Sequence, residues 1–239
     1  MSEVKSGSET TSGTALLLVG ATGLVGSAVI AETVGHDDRH LAALSRREAA
    51  LPRHARLEML LADPADWAGA IGRVRPPVVA IALGTTIRAV GGDRAAFRAV
   101  DHDLVLAVAR AARAAGTRQV ILVSSVGADA AARNFYLSVK GETEAAVNKL
   151  GFARFDILRP GLLRGERRGP ARPAERLGQI VAPLFDPLLI GRLAMARSVH
   201  ARDVARAIWA LAGMSARGRF VHHTPDIHRL SRQSIDTAG

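Results

Sequence analysis

A chain of 239 residues with 48% hydrophobic but only 4% aromatic side chains must build its core from Ala, Val, Leu and Ile, and its length suits one large α/β domain better than two. It contains no cysteine, which excludes structural disulfides and thiolate metal sites. The net charge of +10 comes from arginines scattered along the chain, with one tyrosine and two tryptophans. That reads as a solvated basic surface able to meet anionic ligands, and not as a nucleic-acid platform, which needs stacking aromatics within a basic patch.

Residues 1–13 (MSEVKSGSETTSG) are polar and rich in Gly, Ser and Thr, and read as a disordered lead-in to a single domain over 14–239. No secretory apolar segment occurs, and no apolar run approaches the ~18 residues of a membrane span, so the expectation is a cytoplasmic protein without membrane contact. Thr14–Val19 is a continuous apolar run, as a buried parallel strand requires, and Leu24–Val34 follows as a helix. Strands are expected at His40–Leu44, Leu57–Leu61 and Val78–Ala82, the last running into Leu83-Gly84-Thr85. Phe97–Ala115 reads as a long uninterrupted helix, with His102 on its surface between Asp101 and Asp103. Val120–Val123 leads into Ser124-Ser125, and Tyr136–Leu150 is a helix that Asn134 can cap. Phe155–Leu158 is a sixth strand, turned away by Pro160-Gly161, with a helix at Arg202–Leu211 and a short strand at Gly218–His222 after it. Short apolar strands alternating with Ala-rich helices predict a doubly wound parallel sheet of the Rossmann kind. Residues 162–199, rich in proline and arginine, then form a small substrate-side insertion over the carboxyl ends of the strands.

The segment Gly20-Ala21-Thr22-Gly23-Leu24-Val25-Gly26 follows a strand and opens a helix. In that context Gly20 allows the tight turn, Gly23 lets backbone approach a pyrophosphate, and Gly26 lets the helix pack on the sheet. The phosphates would sit at the helix N-terminus, where free N–H groups favour anions. The second strand ends in Ser45-Arg46-Arg47, with no acid before Glu48. A guanidinium there can fork onto a 2′-phosphate, so NADP(H) is preferred over NAD(H), with Arg46 the first candidate and Arg47 the second. Asp63 is either an adenine contact or, with Pro64 behind it, a helix cap.

Tyr136 and Lys140 stand four residues apart, on one helical face, eleven residues after Ser125. A free tyrosine ionises near pH ~10; an adjacent ammonium favours the phenolate and makes it a proton shuttle, while a serine hydroxyl holds the substrate oxygen. The alternative is an ordinary helix-surface pair, which the upstream serines and glycine loop argue against. No carboxylate cluster or helical spacing joins His222, His223 and His228, so no metal site is expected.

The segments GATGLVG (20–26), ALGTTIRAVGG (82–92), VDHDLVLAVARAARAAG (100–116), LVSSVGADAAARNFYLSVKGETEA (122–145) and LRPGLLRGER (158–167) resemble the short-chain dehydrogenase/reductase superfamily in its atypical extended branch, and within it the Tat-interacting oxidoreductase-like proteins. The resemblance implies that Tyr136 is the acid/base and that Lys140 also binds the nicotinamide ribose. It implies Ser125, with Ser124 as runner-up, for orienting the substrate carbonyl. It also places Leu83, Gly84 and Thr85 beside the cofactor ribose and Pro160 and Gly161 beside the nicotinamide; related folds often form homodimers through helices that include Tyr136–Leu150, and the oligomeric state here stays open. Three functions follow: an NADP(H)-dependent oxidoreductase acting on a small carbonyl or alcohol; an NADPH-binding sensor or scaffold with a protein partner; and nucleotide-sugar epimerase or dehydratase chemistry.

Overall fold

The computed structural model describes residues 14–36, 38–49, 51–53, 57–165 and 197–236; the expected tail over 1–13 and most of the substrate-side insertion lie outside them. Nine described strands occur in the order β1 (Thr14–Val19), β2 (Arg39–Ser45), β3 (Leu57–Leu61), β4 (Val78–Ile81), β5 (Gln119–Val123), β6 (Arg154–Arg159), β7 (Leu163–Arg164), β8 (Val199–His200) and β9 (Gly218–His223). The helices are α1 (Leu24–Ala31), α2 (Trp67–Val74), α3 (Arg94–Arg98), α4 (Val105–Ala114), α5 (Phe135–Asn148), α6 (Ala201–Ala212) and α7 (Thr224–Asp236).

Seven strands form one all-parallel sheet in the order β3-β2-β1-β4-β5-β6-β9, while β7 and β8 pair separately. The direction of winding reverses between β1 and β4, and that crevice is where a doubly wound sheet binds ligands. The described side chains of β1 show why the sheet is central. Leu16, Leu17, Leu18 and Val19 are all buried. Successive strand side chains point to opposite faces. Leu16 and Leu18 therefore join Val29 and Ile30 of α1 and Val204 and Ile208 of α6, while Leu17 and Val19 join Trp67 and Ile71 of α2 and Val105 and Val108 of α4. Glu32, just past α1, accepts from Arg202 at 3.0 Å and Arg206 at 3.1 Å, fastening α6 onto α1.

Boundaries differ from the sequence reading in physically legible ways. The first helix ends at Ala31, not Val34, because Thr33 turns its hydroxyl back onto the Ile30 carbonyl and Val34 is exposed. The strand expected at Val120–Val123 gains Gln119, which lies in register with Arg154 of β6. The long helix starts early, at Arg94, where the Asp93 carboxylate caps Ala95 and Ala96. It is not uninterrupted: a π-helical stretch, Ala99–Leu104, separates α3 from α4. Helix α7 was not expected, and α2 only through the cap reading of Asp63, with no extent given to it.

One polar network lies inside the far side of the sheet. Asp156 on β6 is buried and accepts from Arg154 Nε at 2.7 Å and Gln119 Nε2 at 2.9 Å, with His222 Nε2 at 2.9 Å. Burial alone would raise the Asp156 carboxyl, but His222, Arg154 and Gln119 outweigh it and hold it below the ordinary carboxylate range. A depressed carboxyl contributes stability that is present above its unfolded value of ~3.9 and is lost as pH falls through the folded one. Thermal midpoints followed by circular dichroism should therefore drop below about pH 4 in the wild type. Asp156→Asn should start lower at pH 7 and lose less on acidification; parallel slopes would refute the linkage.

Candidate active site

The glycine turn comes first. Gly20 has φ of +101°, and a Cβ there would lie 2.6 Å from the Ala82 carbonyl oxygen beyond β4. Gly23 N–H donates to Gly20 O at 3.1 Å, closing the turn. A Cβ at Gly26 would lie 2.1 Å from Gly20 O, so α1 rests directly on the turn. Helix α1 has Gly23 as its cap residue, no side chain capping it and no acid in its first turn. Its leading N–H groups are therefore open to an anion. Thr22 and Gly23 are exposed, Leu24 is half-buried, and Val25 packs into the core, leaving it only its backbone for a ligand. Uncapped N–H groups beside a turn whose Gly20 and Gly26 leave no room for a Cβ fit a dinucleotide pyrophosphate.

At the end of β2, Ser45 is buried and accepts from Arg47 N–H at 3.3 Å, while Arg46 and Arg47 are exposed. Asp63 accepts from Ala65 N–H at 3.2 Å with Pro64 behind it, so it caps the turn Pro64–Asp66.

Residues Leu83-Gly84-Thr85 continue from β4 into the crevice, and here the site holds a residue that sequence reasoning missed. Asp101, buried within the π-helical stretch, places Oδ1 2.7 Å from Lys140 Nζ and accepts from Thr85 N–H at 2.7 Å through Oδ2. Its backbone carbonyl accepts from Thr143 at 3.0 Å. Gly84 faces this pair: a Cβ there would be 3.4 Å from Asp101 Oδ1 and 3.7 Å from Lys140 Nζ. The available signal was Asp101 itself, a carboxylate at helical spacing between Phe97 and Val105.

Asn134 caps α5 by accepting from Leu137 N–H at 3.1 Å. One residue into the helix, the half-buried Tyr136 packs its ring 5.7 Å from Phe97, with Lys140 Nζ 5.9 Å from the ring centre. The Tyr136 hydroxyl has no hydrogen-bond partner among the described residues. The two serines are used differently. Ser124 is buried and donates to Glu144 Oε1 at 2.6 Å. Ser125 is half-buried, with a single 3.3 Å contact to the neighbouring Val126 carbonyl. Beyond the strands the chains stay paired: Val126 N–H donates to Pro160 O at 2.9 Å, and Gly161 N–H to Thr224 Oγ1 at 3.1 Å.

The three late histidines stand apart: His222 meets Asp156, His228 meets Asp203 at 3.4 Å, and burial, then Arg159, pushes the His223 imidazole below its usual range. Among the described residues no group of three His, Asp or Glu side chains could hold a metal ion, and no helix is long and apolar enough to cross a membrane.

Comparison with known proteins agrees with this geometry. Residues 20–213 match the family described as NAD(P)H-binding. The protein fmp52, mitochondrial, of Emericella nidulans is 37% identical over 172 residues, covering 69% of this chain and 73% of that protein. Protein fmp52-2, mitochondrial, of Aspergillus terreus is 33% identical over 80% of this chain and 89% of its own length. Among solved structures, MoeE5 in complex with UDP-glucose and NAD superposes with a TM-score of 0.62 at 18% identity, covering 93% of this chain and 81% of that one. The WbmH enzyme of Bordetella bronchiseptica with NAD+ does so at 0.64 and 16% identity, covering 87% and 74%. These likenesses carry the fold. The relatives correct one expectation, that of a cytoplasmic protein, since they are named mitochondrial. The lack of an apolar segment speaks to membrane crossing and does not distinguish one aqueous compartment from another. With a parallel nucleotide-binding sheet, an open helix N-terminus over a glycine turn, and a family match across most of its length, the chain belongs to the NAD(P)H-binding family, in keeping with its resemblance to the atypical extended short-chain dehydrogenases/reductases.

Proposed function

We propose that the protein is an NADP(H)-dependent oxidoreductase acting on a small carbonyl or alcohol. The observation that carries this reading is the Tyr136 hydroxyl, free among the described residues, on the same helix face as Lys140, whose ammonium lies beside Gly84 in the cofactor crevice. The α1 N-terminus and the Gly20–Gly26 turn would hold the pyrophosphate. Arg46, with Arg47 next to it, would fork onto the 2′-phosphate; both are exposed at the end of β2. Asp63, occupied as a cap, is left a minor role at the adenine. The bound dinucleotide would supply hydride donor and acceptor chemistry at its nicotinamide.

The chain's own residues do the rest. Ser125 would donate to the substrate oxygen and fix its position, because Ser124 is committed to Glu144. Tyr136 would give its phenolic proton to that oxygen during reduction and recover it during oxidation. Lys140, held by Asp101, would keep positive charge beside the ring as the phenol loses its proton.

Titration calorimetry with NADPH and NADH tests the cofactor half. NADPH should bind at least about tenfold more tightly, a difference of ~1.4 kcal/mol. In a screen of carbonyl substrates, Tyr136→Phe should lower turnover about 10²–10⁴-fold while leaving NADPH affinity unchanged. Full turnover by that variant would refute the acid/base role. Tight NADPH binding without turnover on any substrate would favour the sensor reading.

A further inference from the structure

Two turns along α5 from Tyr136, and one from Lys140, the same helical stripe carries Glu144. Its carboxylate is buried and receives an unusual number of donors: Ser124 Oγ at 2.6 Å and Arg159 Nε at 3.0 Å on Oε1, and Arg159 Nη2 at 2.5 Å on Oε2. Arg219 Nη2 of β9 approaches Oε2 at 3.8 Å. The two hydrogen-bonding partners each sit one residue before a proposed site element: Ser124 precedes Ser125, and Arg159 precedes Pro160-Gly161. The two extensions are themselves tied, by Ser124 N–H to Leu158 O at 2.8 Å and Val126 N–H to Pro160 O. The carboxylate thus joins the catalytic helix to the two strand ends that flank the nicotinamide position, through links of one or two residues.

Stability alone is a poor account of it. A buried ion pair is often no more stabilising than apolar side chains of the same volume, whereas a forked arginine–carboxylate contact is strict about geometry. We infer that Glu144 is a positioning residue: through Ser124 and Arg159 it sets the distance from Tyr136 to Ser125 and to Pro160-Gly161, and so the grip on the nicotinamide end of the cofactor. This rests on the dinucleotide-dependent reading above.

The test compares two probes by titration calorimetry: NADPH, and 2′-phospho-ADP-ribose, which lacks the nicotinamide. Wild type should bind NADPH more tightly, the ratio measuring what the nicotinamide end adds. Glu144→Gln keeps an acceptor for Ser124 but loses the charge, and should reduce NADPH affinity about tenfold. Arg159→Lys, a point charge in place of a fork, should do the same. Affinity for 2′-phospho-ADP-ribose should stay within about twofold in both. Ser124→Ala, which removes one hydroxyl, carries the test should the others fail to fold, with a loss of about fivefold confined to NADPH. Variants that weaken both probes equally, or neither, overturn the positioning role while leaving the cofactor reading intact. A wild type that binds the two probes equally also overturns it. A wild type that binds neither overturns both readings.

Discussion

Gly26→Ala is expected to abolish measurable NADPH binding and to lower the thermal midpoint. The new methyl carbon would lie 2.1 Å from Gly20 O and 2.9 Å from Ala21 Cα, all main-chain atoms with no rotamer to escape through. Helix α1 would have to lift off the turn that aims its N–H groups. That movement would unseat Val29 and Ile30 from the core and strain the 3.2 Å hydrogen bond from Trp209 Nε1 to Val29 O. Overpacking typically costs about 1–3 kcal/mol, and a clash with rigid main chain belongs at the upper end, about 3 kcal/mol. In a domain of this size that corresponds to a midpoint about 6–12 °C lower. Gly72→Ala in α2 is the control: its Cβ would meet nothing within 4 Å. That change should be neutral or stabilising by about 0.5–1 kcal/mol. A Gly26→Ala protein with wild-type NADPH affinity would sink the assignment of this turn to the cofactor.

Asp101→Ala is expected to be the most destabilising single change in the crevice, by about 3–5 kcal/mol, because it strands a buried ammonium. Lys140 is 9% exposed at its side chain and its partner is fully buried, so water cannot replace the carboxylate in place. The alanine variant also leaves Thr85 N–H without its acceptor. Asp101→Asn keeps that acceptor, so the difference between the two variants separates the loop contact from the ion pair. Adding Lys140→Met to Asp101→Ala should recover part of the loss, since removing both charges is far less costly than removing one. Urea unfolding of the four proteins gives the answer. If Asp101→Ala came within about 1 kcal/mol of wild type, the pair would be an incidental contact.

These two residues also mark how much could be read beforehand. Gly26 was legible because its constraint is local: a strand, a tight turn and a helix within a dozen residues leave one packing solution. The placement of Ser125 past a strand end and of Tyr136 and Lys140 on one helix was legible from spacing. Asp101 was not: helical spacing sets it on the buried stripe with Phe97, Val105 and Val108, but nothing local shows what would pair a carboxylate there. Its partners lie 16 and 39 positions away along the chain. The bond between Ser124 and Glu144 was equally hidden, since the two stand twenty positions apart. Beyond its cap at Asp63 the extent of helix α2 escaped, because WAGAIGRV is short and holds two glycines, so its apolar face emerges only once Trp67 and Ile71 meet the sheet.

The two tryptophans lie on opposite faces of that sheet. Trp67 is buried in the layer with α2 and α4, while Trp209 is buried in the layer with α1 and α6, its indole N–H bonded to the first helix. No other tryptophan complicates the spectrum. Nature has thus installed one fluorophore per layer. Replacing either with phenylalanine leaves a protein whose emission follows a single side of the sandwich, so the assembly of the α2/α4 layer and of the α1/α6 layer can be timed separately in the same chain.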